Sequence, residues 1–197
     1  EVINMGKVAI ANLKIATAAL TDRNEAFCNE VFENEKKLNH LDTVLTDYLV
    51  KINNLSLNDS QHLLVKNLFY TIGDIERIGD HAENLAELAQ TVIRTGSPFS
   101  ERGEEDLKKI SGAALQSVET AVESREHKEL SKVRQAARYE EAVDSLEEEL
   151  KELHMERLSN RECSTESGVI FLDAISNYER IADHARNIAG YVKEEIQ

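Results

Sequence analysis

DIERIGDHAEN, residues Asp74–Asn84, recurs later in the chain as NYERIADHARN, residues Asn177–Asn187, with seven of eleven positions identical. The shared glutamates, Glu76 and Glu179, place the two copies 103 residues apart (179 − 76). Apolar residues recur at three- and four-residue spacing in both copies, which is the pattern of an amphipathic helix. A repeat at this distance indicates a duplicated structural unit.

The same periodicity predicts six helices, in two sets of one short and two long helices. They cover about residues 2–20, 22–52, 58–93, 101–122, 128–158 and 165–196. Aromatic residues make up only 5% of the chain and proline occurs once, which argues against a β-rich fold. The predicted fold is all-α, with two tandem, similar three-helix bundles.

The segment RTGSPFSERG, residues 94–103, separates the two sets of helices. It holds the only proline and two of the eight glycines of the chain. Because these residues interrupt helices, the segment predicts a first three-helix repeat over residues 1–96 and a second over residues 97–197.

Two finer details of the helices also follow from the sequence. Asp22, followed three residues later by Glu25, predicts a capping box at the start of the second helix. The apolar spacing predicts that the inward faces of the second and fifth helices include Leu41, Tyr48, Leu146 and Leu153.

The composition narrows the classes of partner. The formal net charge is −14, and an acidic surface repels phosphate backbones, so nucleic acid is not an expected partner. No stretch has the length and apolarity of a membrane span. The two cysteines are far apart and form no CxxC motif, which predicts a reduced setting without a disulfide.

Carboxylates follow one edge of the apolar stripe in both copies. With Ile75 set to zero and about 100° per residue, Glu76, Asp80 and Glu83 fall about 80–140° to one side. The acids at matching positions of the second copy are Glu179 and Asp183. Arg186 stands where the first copy has Glu83.

The preceding long helices carry a matching acidic row. Glu35 aligns with Glu140 at an offset of 105 residues (140 − 35), and Asn39 aligns with Asp144. Acids that converge from two helices repel each other and lose hydration, so a cation should compensate them. The candidates are the arginines that recur in both copies, or a metal ion such as Mg, Mn, Fe or Zn.

A blander interpretation stays open, because charges beside a helix stripe are commonly a solvated face. His81 and His184 directly follow the two aspartates. We interpret them as residues that hydrogen-bond between helices rather than as ligands. Gly79 is expected to let a neighbouring helix approach closely.

The longer stretches DIERIGDHAENLAE (residues 74–87) and NYERIADHARNIAG (residues 177–190) resemble the repeated motif of the PhoU family. The resemblance covers essentially the whole chain. It implies two similar three-helix bundles and a regulatory role in phosphate homeostasis, with metal clusters on the ExxxD motifs. The metal ligands that it implies here are Glu35, Glu76, Asp80, Glu140, Asp144, Glu179 and Asp183. Because Asn39 replaces an acid in the first half, we expect the second site to be metallated if only one is.

The opening stretch EVINMGKVAIANLKIATAAL, residues 1–20, is similar to the segment that follows the membrane domain in bacterial sodium/phosphate cotransporters. A start without Met agrees with that likeness. It implies a non-enzymatic regulatory domain at the cytoplasmic face of the inner membrane, with the transporter as partner in cis and a homodimer as a further option.

Two alternative functions remain at this stage. One is a stand-alone PhoU protein that acts between an ABC-type phosphate transporter and a sensor kinase. The other is a carboxylate-bridged di-metal enzyme. It is disfavoured because such bundles use Glu-x-x-His, and no Glu here has a His three residues later.

Overall fold

Six helices build the protein, and the computed structural model describes all residues, 1–197. They are α1 (Val2–Asp22), α2 (Glu25–Asn53), α3 (Asp59–Thr95), α4 (Glu101–His127), α5 (Leu130–Ser159) and α6 (Thr165–Ile196). The all-α prediction is confirmed, and the predicted bounds agree to within a few residues except at the end of α4. No helix combines the length and apolarity needed to cross a membrane.

The connection between the first two helices has the same backbone conformation in both halves. α1 is followed by Arg23 with φ 53 and α4 by Lys128 with φ 54, both in the left-handed region. The predicted capping box at Asp22 is wrong, because Asp22 is the last residue of α1. Asn24 caps α2 instead: its side-chain oxygen accepts a hydrogen bond from the Ala26 backbone N–H at 3.0 Å.

The helices pack as two three-helix bundles that share one core. α1, α2 and α3 contact one another, and so do α4, α5 and α6, while α3 against α6 and α1 against α4 join the two sets. The buried apolar residues form a single cluster of 40 that runs through both bundles. The predicted boundary between residues 96 and 97 lies in the connection from α3 to α4, and the division into two domains stays a prediction.

The inward faces of α2 and α5 deviate from the apolar pattern near their C-terminal ends. Tyr48 is 62% exposed and Leu49 is buried in its place; Leu153 is 38% exposed, while His154 and Arg157 are buried. The buried His154 comes four residues after the buried Leu150, and the buried Leu49 comes four residues after the partly buried Leu45. A spacing of four rather than three turns the apolar candidate outward. Leu41 and Leu146, which were also predicted to face inward, are partly buried.

A buried arginine near the end of α5 is paired with an acid of the second bundle. Arg157 donates to Asp106 of α4 at 2.6 Å, and both side chains are 7% exposed. The Arg157 guanidinium also lies 5.1 Å from the centre of the Phe171 ring, on which His154 stacks. Apolar periodicity in the sequence does not reveal these buried residues of α5, because their side chains are polar.

Candidate functional site

The first carboxylate cluster joins α2 to α3. Glu35 of α2 is 2% exposed, and neither of its carboxylate oxygens has a hydrogen-bond partner. Gly79 of α3 makes room for it, since a Cβ there would lie 2.5 Å from Glu35 Oε2 and 2.8 Å from Leu38 Cδ1. The predicted close approach at Gly79 is confirmed, and it places a bare carboxylate inside the bundle.

The electrostatic surroundings of Glu35 are strongly unfavourable to its charged form. Burial raises the pKa of Glu35 to about 8, helped by the negative charges of Asp80, Glu83 and Glu76. Burial, together with Asp80, also raises the pKa of Glu76. The Arg77 guanidinium donates to Asp80 at 3.0 Å and lies 3.8 Å from Glu76, and neither oxygen of Glu35 has a partner. An unpaired buried carboxylate is costly, so without a cationic partner Glu35 is held in its protonated, neutral form at neutral pH.

The second carboxylate cluster joins α5 to α6. Glu140, Asp144 and Asp183 each offer an oxygen within 4.8 Å of the other two. The Glu140 side chain is 1% exposed, and Arg186 donates to its Oε1 at 2.6 Å. Glu140 Oε2 and Asp144 Oδ1 are buried without a partner. The second cluster is therefore compact, but one of its acids already holds a cation.

Burial dominates the electrostatics of this cluster as well. It raises the pKa of Glu140, against the opposing hydrogen bond from Arg186. It also raises the pKa of Asp144, with a further contribution from Asp183. Burial raises the pKa of Glu179, again with Asp183 as the next cause. Glu179 thus acts on the second cluster through its charge, and Arg180 lies 3.4 Å from it.

Of the seven predicted ligands, Glu140, Asp144 and Asp183 lie within ligand distance of one another. Glu35, Glu76 and Asp80 act on one another through their charges in the first half, as Glu179 does with Asp183 and Asp144 in the second. The prediction did not include Glu83, although it lies on the predicted edge and acts on Glu35, nor Asp42, whose charge acts on Glu76. It also did not include Glu147, which is buried and paired with Lys151 at 2.5 Å. Arg186 was visible only as a break in the repeat. Its contact with Glu140 depends on the packing of two helices.

Hydrogen bonds across the α3–α6 contact hold both clusters in position. The Asp74 carboxylate accepts from His184 Nδ1 at 2.7 Å and from Asn187 at 3.3 Å. The corresponding residue of α6, Asn177, lies 2.9 Å from His81 Nδ1 and accepts from Asn84 at 3.2 Å. The two imidazole rings stack with their centres 5.6 Å apart.

The interpretation of both histidines as interhelix hydrogen-bonding residues is confirmed. Each histidine directly follows a candidate ligand, Asp80 or Asp183. The contact between α3 and α6 therefore fixes the backbone from which each aspartate projects. Burial also lowers the pKa of His81, because it disfavours the charged imidazolium.

A comparison with models of protein families matches residues 2–89 and 107–192 to the PhoU domain. The chain belongs to the PhoU family. A PhoU relative from Pseudomonas aeruginosa, a phosphate-specific transport system accessory protein, is 26% identical over 195 residues, or 98% of this chain and 79% of that protein. PhoU homolog 1 of Thermotoga maritima bears the same description and is 23% identical over 183 residues, or 90% of this chain and 76% of that protein.

Solved PhoU structures share the fold. The crystal structure of PhoU from Pseudomonas aeruginosa aligns with a TM-score of 0.92 at 24% identity and covers 99% of this chain and 93% of that one. PhoU from Streptococcus pneumoniae, a phosphate transport system regulatory protein, aligns with a TM-score of 0.89 at 18% identity, over 100% and 91% of the two chains. The predicted family is confirmed, whereas the predicted link to a sodium/phosphate cotransporter finds no support in these relatives.

Proposed function

We propose that this protein is a PhoU-type accessory regulator of a phosphate transport system, and that metal ions held by its two carboxylate clusters are part of its working form. Membership of the PhoU family supports the first part. The relatives are described as accessory or regulatory proteins of phosphate transport, which favours a regulator over an enzyme. It also favours a separate accessory protein over a domain that acts in cis within a cotransporter.

A single observation carries the metal part of the proposal. Glu35 is buried with two unpartnered oxygens, and its neighbours in the cluster are acids. Carboxylate oxygens from two helices are the ligands that Mg, Mn, Fe and Zn accept in proteins. The residues therefore fit a cation. Glu35, Glu76 and Asp80 would hold it in the first half, and Glu140, Asp144, Glu179 and Asp183 in the second.

Such a cation would supply positive charge between α2 and α3, where Glu35 has no cationic partner. Carboxylates that shared the cation would tie the two helices together, because Glu35 projects from one and Asp80 from the other. This link opposes separation of the helices and changes the stability of the bundle. A regulator must distinguish two states of its transporter through different contacts with each. An occupied cluster would hold its helices in other positions than an empty one, and this would change the contacts with the transporter.

The test for metal binding measures metal content per chain by plasma mass spectrometry. Purified protein is chelated, reloaded with Fe, Mn, Zn or Mg, and desalted. Glu35→Gln and the double variant Asp80→Asn/Asp183→Asn are compared with Glu30→Gln, a control at an exposed position of α2. We expect stoichiometric metal in the wild type and the control, loss of the metal of the first cluster in Glu35→Gln, and loss of metal from both clusters in the double variant. A wild type without metal would overturn the metal part.

The test for regulation measures phosphate uptake in cells that carry or lack this protein. We expect uptake, and its response to external phosphate, to change when the protein is removed and to return with Glu30→Gln but not with Glu35→Gln. Uptake that is unchanged by removal would contradict the regulatory proposal, whatever the metal content.

A further inference from the structure

We propose that Arg186 is the built-in counter-cation of the second carboxylate cluster, so that the two halves of the protein bind metal unequally. In this arrangement the first cluster fills first, in contrast to the expectation drawn from Asn39, and metal in the second cluster competes with the guanidinium for Glu140. This inference rests on the proposed metal binding, and Arg186 is the residue that sets the order in which the two clusters bind metal.

Comparison of the two repeats shows that Arg186 is a cationic residue without a cationic counterpart in the first half. At the offset of 103 residues, the arginine of each ExxxD motif recurs: Arg77 lies 3.0 Å from Asp80, and Arg180 lies 3.8 Å from Asp183. Arg186 has no such counterpart, because the matching residue of the first half is Glu83. A carboxylate in one half and a guanidinium in the other thus occupy equivalent places on α3 and α6.

The contacts of the two buried glutamates follow from that exchange. Glu140 receives a charge-assisted hydrogen bond from Arg186 at 2.6 Å, which is a strong class of contact. Glu35, its equivalent in the first half, receives none and keeps two unpartnered oxygens. A metal ion therefore meets a carboxyl group without a cationic partner in the first cluster, and one that a guanidinium already holds in the second.

The second cluster has the more convergent geometry, and in this proposal the guanidinium offsets that advantage. The three carboxylate oxygens of this cluster lie within 4.8 Å of one another, but the guanidinium is bound to one of those acids. Only one Glu140 oxygen is engaged by Arg186, and the arginine side chain is 55% exposed. Arg186 can therefore swing into solvent, which makes the second cluster a weaker site rather than a closed one.

The experiment titrates the chelated full chain with Mn²⁺ by calorimetry and equilibrium dialysis. Glu35→Gln and Glu140→Gln assign the two classes of site. We expect Glu35→Gln to remove the tighter class and Glu140→Gln to leave it. Arg186→Gln should raise the affinity of the weaker class by about tenfold or more, because a competing unit charge is gone. Glu83→Arg should lower the affinity of the tighter class by a similar factor.

Two results would overturn the inference. One is loss of the tighter class in Glu140→Gln, and the other is an unchanged weaker class in Arg186→Gln. Arg186→Lys, which keeps the charge, is the matched control and should stay close to the wild type.

A second readout needs no metal and separates this inference from the proposed function. In the chelated protein, Arg186→Gln leaves Glu140 buried without a cation and should lower Tm by about 3–8 °C. Arg186→Lys should restore most of the loss, and Glu83→Gln should cause none. A chelated Arg186→Gln protein with an unchanged Tm would refute the counter-cation role, whereas a wild type that binds no Mn²⁺ refutes the metal function itself.

Discussion

Replacing Glu35 by Gln should make the metal-free protein more stable at neutral pH, which is unusual for a buried position. The pKa of Glu35 is raised to about 8, from an ordinary value of 4.5, first by burial and then by neighbouring acids. The unfolded chain thus releases this proton near pH 4.5, while the native protein keeps it until about pH 8. The contribution of Glu35 to stability is full below pH 4.5 and is lost as the pH rises towards 8.

The magnitude follows from the interval between the two pKa values. At pH 7, which is about 2.5 pH units above 4.5, the native state has lost about 3 kcal/mol of stability relative to acid conditions. At pH 5 the loss is below about 1 kcal/mol. Gln has nearly the shape of protonated Glu and no charge, so the variant should avoid this loss. Its free energy of unfolding should exceed that of the wild type by about 2–3 kcal/mol at pH 7.

The assay is urea unfolding of chelated proteins at pH 5 and pH 7, with Glu30→Gln as the exposed control on the same helix. From pH 5 to pH 7, the free energy of unfolding of Glu35→Gln should rise relative to that of the wild type, whereas that of Glu30→Gln should not. With saturating metal the order should reverse, because ligand binding stabilises the form that binds it. The reasoning is refuted if metal-free Glu35→Gln is less stable than the wild type at pH 7, or if its difference from the wild type is equal at both pH values.

Four further substitutions, two of them a matched pair, test the packing of the helices, each by urea or thermal unfolding. Leu38→Ala, at a fully buried position, should cost about 2–5 kcal/mol, and Leu41→Ala less because that residue is only partly buried; equal losses would contradict the assigned inward face of α2. Asp106→Ala should cost about 3–5 kcal/mol because it leaves the Arg157 guanidinium buried without its partner; a change within about 0.5 kcal/mol would mean that the arginine reaches water. Gly79→Ala should cost about 1–3 kcal/mol, since its Cβ would lie 2.8 Å from Leu38 Cδ1, and an unchanged stability would show that α2 shifts freely.

Much of the fold could be predicted because it depends on local periodicity. The duplicated motif, the six helices and the position of the acidic edge all follow from residues a few positions apart. The errors occur where a longer-range partner decides. Tyr48 and Leu153 continue the apolar spacing but lie outside, because Leu49 and His154 occupy the inward positions. Asn24, rather than Asp22, caps α2 because α1 runs on to Asp22.

The candidate site shows the same division. The sequence by itself determined which residue types recur at helical spacing on each edge, because that pattern lies within single helices. Only the tertiary structure decided which carboxylates lose water and which find a cation, because desolvation and ion pairing depend on residues from different helices. Glu35 and Glu140 hold equivalent places in the repeat. They differ because Arg186 of α6 reaches Glu140, while no cationic side chain reaches Glu35.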